Sequence, residues 1–225
     1  MRAYYEDLWE RLPARRAAPD EPLRARFLEE QLSGQPGARR ALDLGCGGGR
    51  LTGLLARRAR SVIGVDVAQA ALARARASHP QLDFRLIAPD GELPLEDASV
   101  EVVWASEVIE HVADTARWLS EVRRVLAPGG RLLLTTPDHG RLRLLVWGIE
   151  RCAPPLGDHL HLYTRRSLGR LLRDFDFDPV SVRAAGGLPG MRRLLLACAT
   201  RPALGGRGGA ARAKTRPAGG DARPA

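Results

Sequence analysis

In "SEVIEHVAD", residues 106–114, Glu107 and Glu110 lie three apart and His111 sits beside the second acid; His139 follows, and "DHLHLY", 158–163, adds Asp158, His159 and His161. Carboxylates and imidazoles at such spacing can move protons near neutral pH or hold a divalent cation. A plainer reading stands beside both: loop residues that hydrogen-bond the backbone around them. Upstream, two further acids each close a short apolar run, Asp43 in "ALDLGCGGGR" and Asp66 in "SVIGVDV". The first is followed by glycine at four of the five positions 45–49, which suits either a ligand approaching bare backbone or a tight structural turn between strand and helix.

These residues need elements to carry them. "RALDLGC" and "GRLTGLLARRA" read as strand, glycine turn and helix, since Leu51, Leu54 and Leu55 recur at helical spacing. "SVIGVDV", "LDFRLIA", "VEVVWAS" and "RLLLTTP" are further strands, with "AQAALARARASH" and "ADTARWLSEVRRVL" as helices between them. The second helix should stop at "APGG", where Pro128 ends the ladder. Strands separated by helix-length segments predict a doubly wound parallel α/β sheet, with ligands at the carboxyl ends of its strands. "FDFDPVSVRAA" and "MRRLLLACAT", joined across Gly186-Gly187 and Pro189-Gly190, predict a closing antiparallel hairpin.

The glycine spacing discriminates between ligands. A dinucleotide fingerprint counted from Gly45 and Gly47 needs glycine at position 50, where Arg50 stands, and no Gly-Lys-Ser/Thr ending serves a triphosphate. What remains is Asp43-x-Gly45-x-Gly47-x-Gly49, with Asp66 placed 21 residues after Gly45, where a carboxylate can accept two ribose hydroxyls. "LDLGCGGG" resembles the first motif of class I S-adenosylmethionine-dependent methyltransferases. "APDGELPLEDASVEVVW", "EVIEHVAD", "EVRRVLAPGGRLLLTTP" and "HLYTRRSLGRLLRDFDF" are similar to the type 11, ubiquinone/menaquinone-biosynthesis-like members.

The resemblance implies a Rossmann-like seven-stranded sheet in the order 3-2-1-4-5-7-6 with strand 7 antiparallel. It implies S-adenosylmethionine as cofactor, held by Asp43, Gly45, Cys46, Gly47, Gly49, Asp66, Val67, Asp90, Gly91 and Ser106, with Asp90 and Gly91 at the adenine. The Glu-x-x-Glu-His run is similar to a divalent-metal motif of some members; no metal is expected here. The expected reaction is methyl transfer to a small or lipid-like acceptor, at oxygen, with His111, His159 and His161 as candidates for the base or for orienting the acceptor. An RNA or protein methyltransferase and a non-catalytic adenosylmethionine-binding protein are the alternatives. "WASE" lacks the Asn/Asp-Pro-Pro-aromatic run of amino-group methylation on bases.

Composition sets the outer bounds. The 225 residues, 44% hydrophobic, suit one core: an N-terminal helical lid over 1–34, with Tyr4, Tyr5 and Trp9 covering the cofactor, and a catalytic domain over 35–200. An insertion at 139–161 would cap the acceptor, its Leu142, Leu145, Val146, Trp147 and Ile149 forming an apolar lid. The tail 201–225 holds five Arg and one Lys against one Asp, so +5 of the net +9 lies in a Gly/Pro/Ala stretch unfit to pack. The basic excess therefore implies no stable nucleic-acid complex. Without a membrane-length apolar run or secretory h-region, a cytoplasmic location is expected. Three unpaired cysteines suggest neither disulfide framework nor zinc site.

Overall fold

The computed structural model describes residues 2–13, 20–33, 37–89, 91–152 and 159–203, with backbone only over 149–152. The expected sheet is present. Its strands are β1 (Ala38–Leu44), β2 (Ala59–Asp66), β3 (Asp83–Leu86), β4 (Val100–Ser106), β5 (Leu126–Pro137), β6 (Val180–Ala185) and β7 (Leu194–Thr200), in the order β3-β2-β1-β4-β5-β7-β6. The first five pair in parallel, while β7 runs antiparallel to both β5 and β6. Residues 41–44 of β1 are buried in succession, as a strand covered on both faces requires.

Helices α1 (Arg2–Arg11), α2 (Glu21–Leu32), α3 (Arg50–Leu55), α4 (Gln69–Ser78), α5 (Thr115–Val125), α6 (Arg141–Cys152) and α7 (Arg165–Asp174) surround the sheet. On one face Trp118, Leu119 and Val122 of α5 and Leu168 and Leu172 of α7 pack on β4, β5 and β7. The other face is closed by Phe27, Leu28 and Leu32 of α2 with Leu55 of α3, against Val62, Trp104 and Leu133. Thus α2, within the segment expected to be a lid, is a core helix, whereas α1 has no buried residue.

Capping fixes two helix starts. The Asp114 carboxylate accepts the Arg117 N–H at 2.9 Å, and Thr164 forms a reciprocal capping box with Ser167 ahead of α7. Helix α5 stops at Val125, just ahead of "APGG" as expected, and that stretch already belongs to β5, which begins at Leu126; Gly129 at φ 81° lies inside it, opposite a register shift between Val100 and Val102. Pro and a left-handed Gly are accommodated at the start of the strand as an irregularity. No helix among the described residues is long and apolar enough to cross a membrane.

Candidate cofactor and acceptor site

The carboxyl ends of β1, β2 and β4 open into a cleft of about 760 Å³. The loop after β1 is tied down by Gly45 and Cys46, whose N–H groups donate to the Val65 carbonyl at 2.9 and 3.0 Å. Gly47, at φ 51°, donates to Asp66 Oδ2 at 2.8 Å, and a Cβ there would sit 2.7 Å from the Trp9 ring. The other Asp66 oxygen accepts the Ala68 N–H at 3.0 Å, so this carboxylate braces the glycine loop and the entry to α4 together.

Of the residues expected at a cofactor, Asp43, Gly45, Cys46, Gly47, Asp66, Val67, Gly91 and Ser106 line this cleft. Asp90 lies outside the described residues. Gly49 does not face the cleft; at φ 81° it precedes α3, and a Cβ there would come within 3.1 Å of Ala75 on α4. Its glycine is needed for close packing of the loop on that helix, which the sequence spacing alone does not separate from ligand contact.

Three carboxylates lie at the floor, Asp43 and Asp66 buried and Glu107 half-buried. Asp43, 2% exposed, is pushed up by burial to about 7, against the Thr52 hydroxyl that donates to it at 2.6 Å; repulsion from Asp66 adds a smaller upward push. Burial also raises Asp66, opposed by its backbone N–H bonds, and raises Glu107, opposed chiefly by the Arg24 guanidinium. Glu107 sits at φ 56° just after β4 and accepts the Thr135 hydroxyl at 3.0 Å. Arg24, buried on α2, directs Nη1 to the Ser106 hydroxyl at 3.5 Å and lines the same cleft. Sequence reasoning passed over Arg24. Its signal is a cation in register with Phe27, Leu28 and Leu32 on an otherwise apolar helix face.

The histidines gather beside this cleft. Glu110 is fully buried, with Oε2 accepting the Thr136 hydroxyl at 2.8 Å and Oε1 lying 3.7 Å from His111 Nε2. Its backbone carbonyl accepts from Leu160 at 2.7 Å and His161 at 3.1 Å, which returns the 159–163 segment to the end of β4. The His111 and His159 rings are therefore 4.9 Å apart, with His139 at 6.2 Å from His159 and Tyr5 of α1 at 5.9 Å from His111. His161 is placed differently: its Nε2 lies 2.9 Å from the Val112 carbonyl, where it ties two loops together. The ligand atoms of Glu110, His111 and His159 lie within 4.8 Å of one another, a spacing that suits a divalent cation; Glu107 belongs instead to the Thr135 and Arg24 group.

The covering elements divide. Tyr5 and Trp9 line the cleft, whereas Tyr4 does not and is 46% exposed. Glu6 anchors α1 by accepting the Gln69 and Ala70 N–H groups at 2.7 and 3.1 Å, and Arg74 lies over the Trp9 ring at 5.7 Å. Helix α6 does not close over the cleft as expected of the insertion: Leu142, Leu145, Val146 and Trp147 do not line it and are 46–83% exposed. Gly148, at φ 72° and ψ 165°, breaks the helix after its second turn. The side chain of Ile149 lies outside the described residues.

Comparison with known proteins agrees with this geometry. Residues 42–134 match the family model described as a methyltransferase domain. A probable S-adenosylmethionine-dependent methyltransferase of Mycolicibacterium smegmatis is 45% identical over 109 residues, 48% of this chain and 42% of the relative. A ubiquinone biosynthesis O-methyltransferase of Idiomarina loihiensis is 36% identical over 119 residues, 51% of this chain and 49% of the relative. The chain thus spans a little under half the length of these curated relatives. An S-adenosylmethionine-dependent methyltransferase from Mesorhizobium loti shares the fold, with a TM-score of 0.65 and 22% identity over 82% of this chain and 99% of that one. Residues 42–134 thus match a methyltransferase domain, and about half of the chain is similar to S-adenosylmethionine-dependent methyltransferases whose fold the strand order shares.

Proposed function

We propose that this chain binds S-adenosylmethionine in the cleft and transfers its methyl group to an oxygen of a small or lipid-like acceptor. The observation that carries the reading is the set of carboxylates around a glycine loop, Asp43 and Asp66 buried and Glu107 half-buried, each raised by desolvation. Burying acids is costly unless a cation or donor joins them. A ligand with a sulfonium and an ammonium offsets that cost, whereas an anionic pyrophosphate increases it.

The residues present fit the cofactor. Asp66 offers its remaining lone pairs to ribose hydroxyls, Arg24 supplies the cation for a carboxylate, and the loop of Gly45 and Gly47 admits close approach. When bound, S-adenosylmethionine supplies a methyl group made electrophilic by the sulfonium. The chain must then align an acceptor and exclude water; alignment contributes roughly 7–11 kcal/mol in favourable cases. Trp9 and Tyr5 cover the cleft. His111, which lines the cleft, takes the single hydroxyl proton, His159 beside it orients the acceptor, and Glu110, held by Thr136, stabilises the one imidazolium that forms. Such a base contributes about 10²–10⁴-fold. His161 positions the loop carrying His159.

The test is transfer of labelled methyl to a cell extract separated into small molecules, lipids, RNA and protein. Label in the first two fractions is expected; label confined to RNA or protein overturns the acceptor class. With the acceptor identified, His111→Gln and His159→Gln should each lower turnover roughly 10²-fold or more while leaving cofactor affinity unchanged. Turnover should also survive a chelator. If chelation abolishes it and a divalent cation restores it, Glu110, His111 and His159 coordinate a metal instead of moving a proton.

A further inference from the structure

The two helical turns of α6 before Gly148 put apolar side chains into solvent: Leu145 is 83% exposed, Val146 58%, Trp147 50% and Leu142 46%. They do not stand alone. The β6–β7 loop touches α6 where a Cβ on Gly190 would lie 3.0 Å from Leu142, and Leu188, 72% exposed, extends from that loop. Cations border this ridge. Arg141 and Arg143 open α6, Arg165 opens α7 and lies close enough to share the field of Asp138 with Arg143, and Arg192 donates to the Gly187 carbonyl at 2.9 Å beside Leu188. Among the described acids of neighbouring segments, Asp138 is buried and Asp20 pairs with Arg193 at 2.8 Å.

We infer that α6 and the 186–190 loop form a docking surface for an anionic lipid bilayer. A short helix with leucine and tryptophan outward and arginine at its base matches the chemistry of an interfacial segment, whose apolar residues enter the acyl boundary while its cations meet lipid phosphates. A water-facing helix has no use for four exposed apolar residues in six positions. The position adds to this. Helix α6 leaves the carboxyl end of β5, and the loop joins β6 to β7 at that same end, the one into which the cleft opens. Docking would therefore turn the cleft toward the bilayer, and an amphiphilic acceptor could enter without crossing bulk water. The surface itself rests on exposure and charge and stands whether or not the proposed chemistry does.

Flotation of the full chain with phosphatidylcholine vesicles, with and without about one-third phosphatidylglycerol, tests the inference. The chain should partition onto the anionic vesicles at least tenfold more than onto neutral ones. The double variant Leu145→Glu and Trp147→Glu should lose that partition by tenfold or more, with unchanged melting temperature and cofactor affinity. A full-length variant with Arg207, Arg212, Lys214, Arg216 and Arg223 replaced by Ser should keep most of it. The inference is overturned if the wild type stays with the buffer, or if binding is lost in the tail variant and kept in the α6 variant. It is equally overturned if light scattering shows a dimer that the α6 variant dissociates while vesicle binding is unaffected, since the face would then be covered by a second copy.

Discussion

Asp43 ties electrostatics to stability. Its ordinary value near 3.8 rises to about 7 on folding because burial disfavours the charged form. For an acid raised in the folded state, the stability it contributes is complete below the ordinary value and is lost as pH climbs through the folded one. The ligand-free protein should therefore weaken between about pH 4 and pH 7 on account of this residue. Asp43→Asn keeps an acceptor for Thr52 and removes the charge, so its stability relative to wild type should rise by roughly 2–3 kcal/mol between pH 5 and pH 8, at about 1.4 kcal/mol per pKa unit. Thermal unfolding across that range checks it; a pH-independent difference would show that the carboxyl ionises freely. Cofactor affinity should move the opposite way in wild type, strengthening from pH 6 to 8 as Asp43 becomes anionic.

Helix α1 is held more by polar contacts than by core burial, and its grip passes through Glu6 to the start of α4 and through Trp9 to the glycine loop. Glu6→Gln should weaken that anchor and speed cofactor release several-fold, with little change in melting temperature, as stopped-flow displacement would show. An unchanged release rate would mean that α1 does not gate the cleft. The strands and the closing hairpin were legible because β-branched runs, glycine stops and helix-length spacing all agree. The role of α2 was not, since Arg24 interrupts the stripe of Phe27, Leu28 and Leu32 from which a core helix is recognised. The surroundings of Gly49 and His161 were not legible for a related reason: spacing places a residue near a site, but only the backbone path shows Gly49 packing on Ala75 and His161 tying Val112.

At the scale of the molecule, the boundary of the folded unit lies beyond the residue expected. Arg201 continues from β7, exchanges backbone bonds with Gly129 and Gly130, and donates from its guanidinium to the carbonyls of Arg123, Arg124 and Leu126. Arg201→Ala should cost about 1–3 kcal/mol in unfolding, because the carbonyls at the α5–β5 junction lose their donor. Removing 204–225 is expected to change melting by less than a degree or two; the composition of that tail, and not its structure, motivates this. The central claim is that acids buried around a glycine loop select a cationic adenosyl ligand. Calorimetry with the full chain at pH 8 tests it most directly. One equivalent of S-adenosylmethionine should bind, NAD should give no heat of binding, and Asp66→Ala should weaken the first by tenfold or more. Binding of NAD, or equal S-adenosylmethionine affinity in wild type and Asp66→Ala, would contradict it.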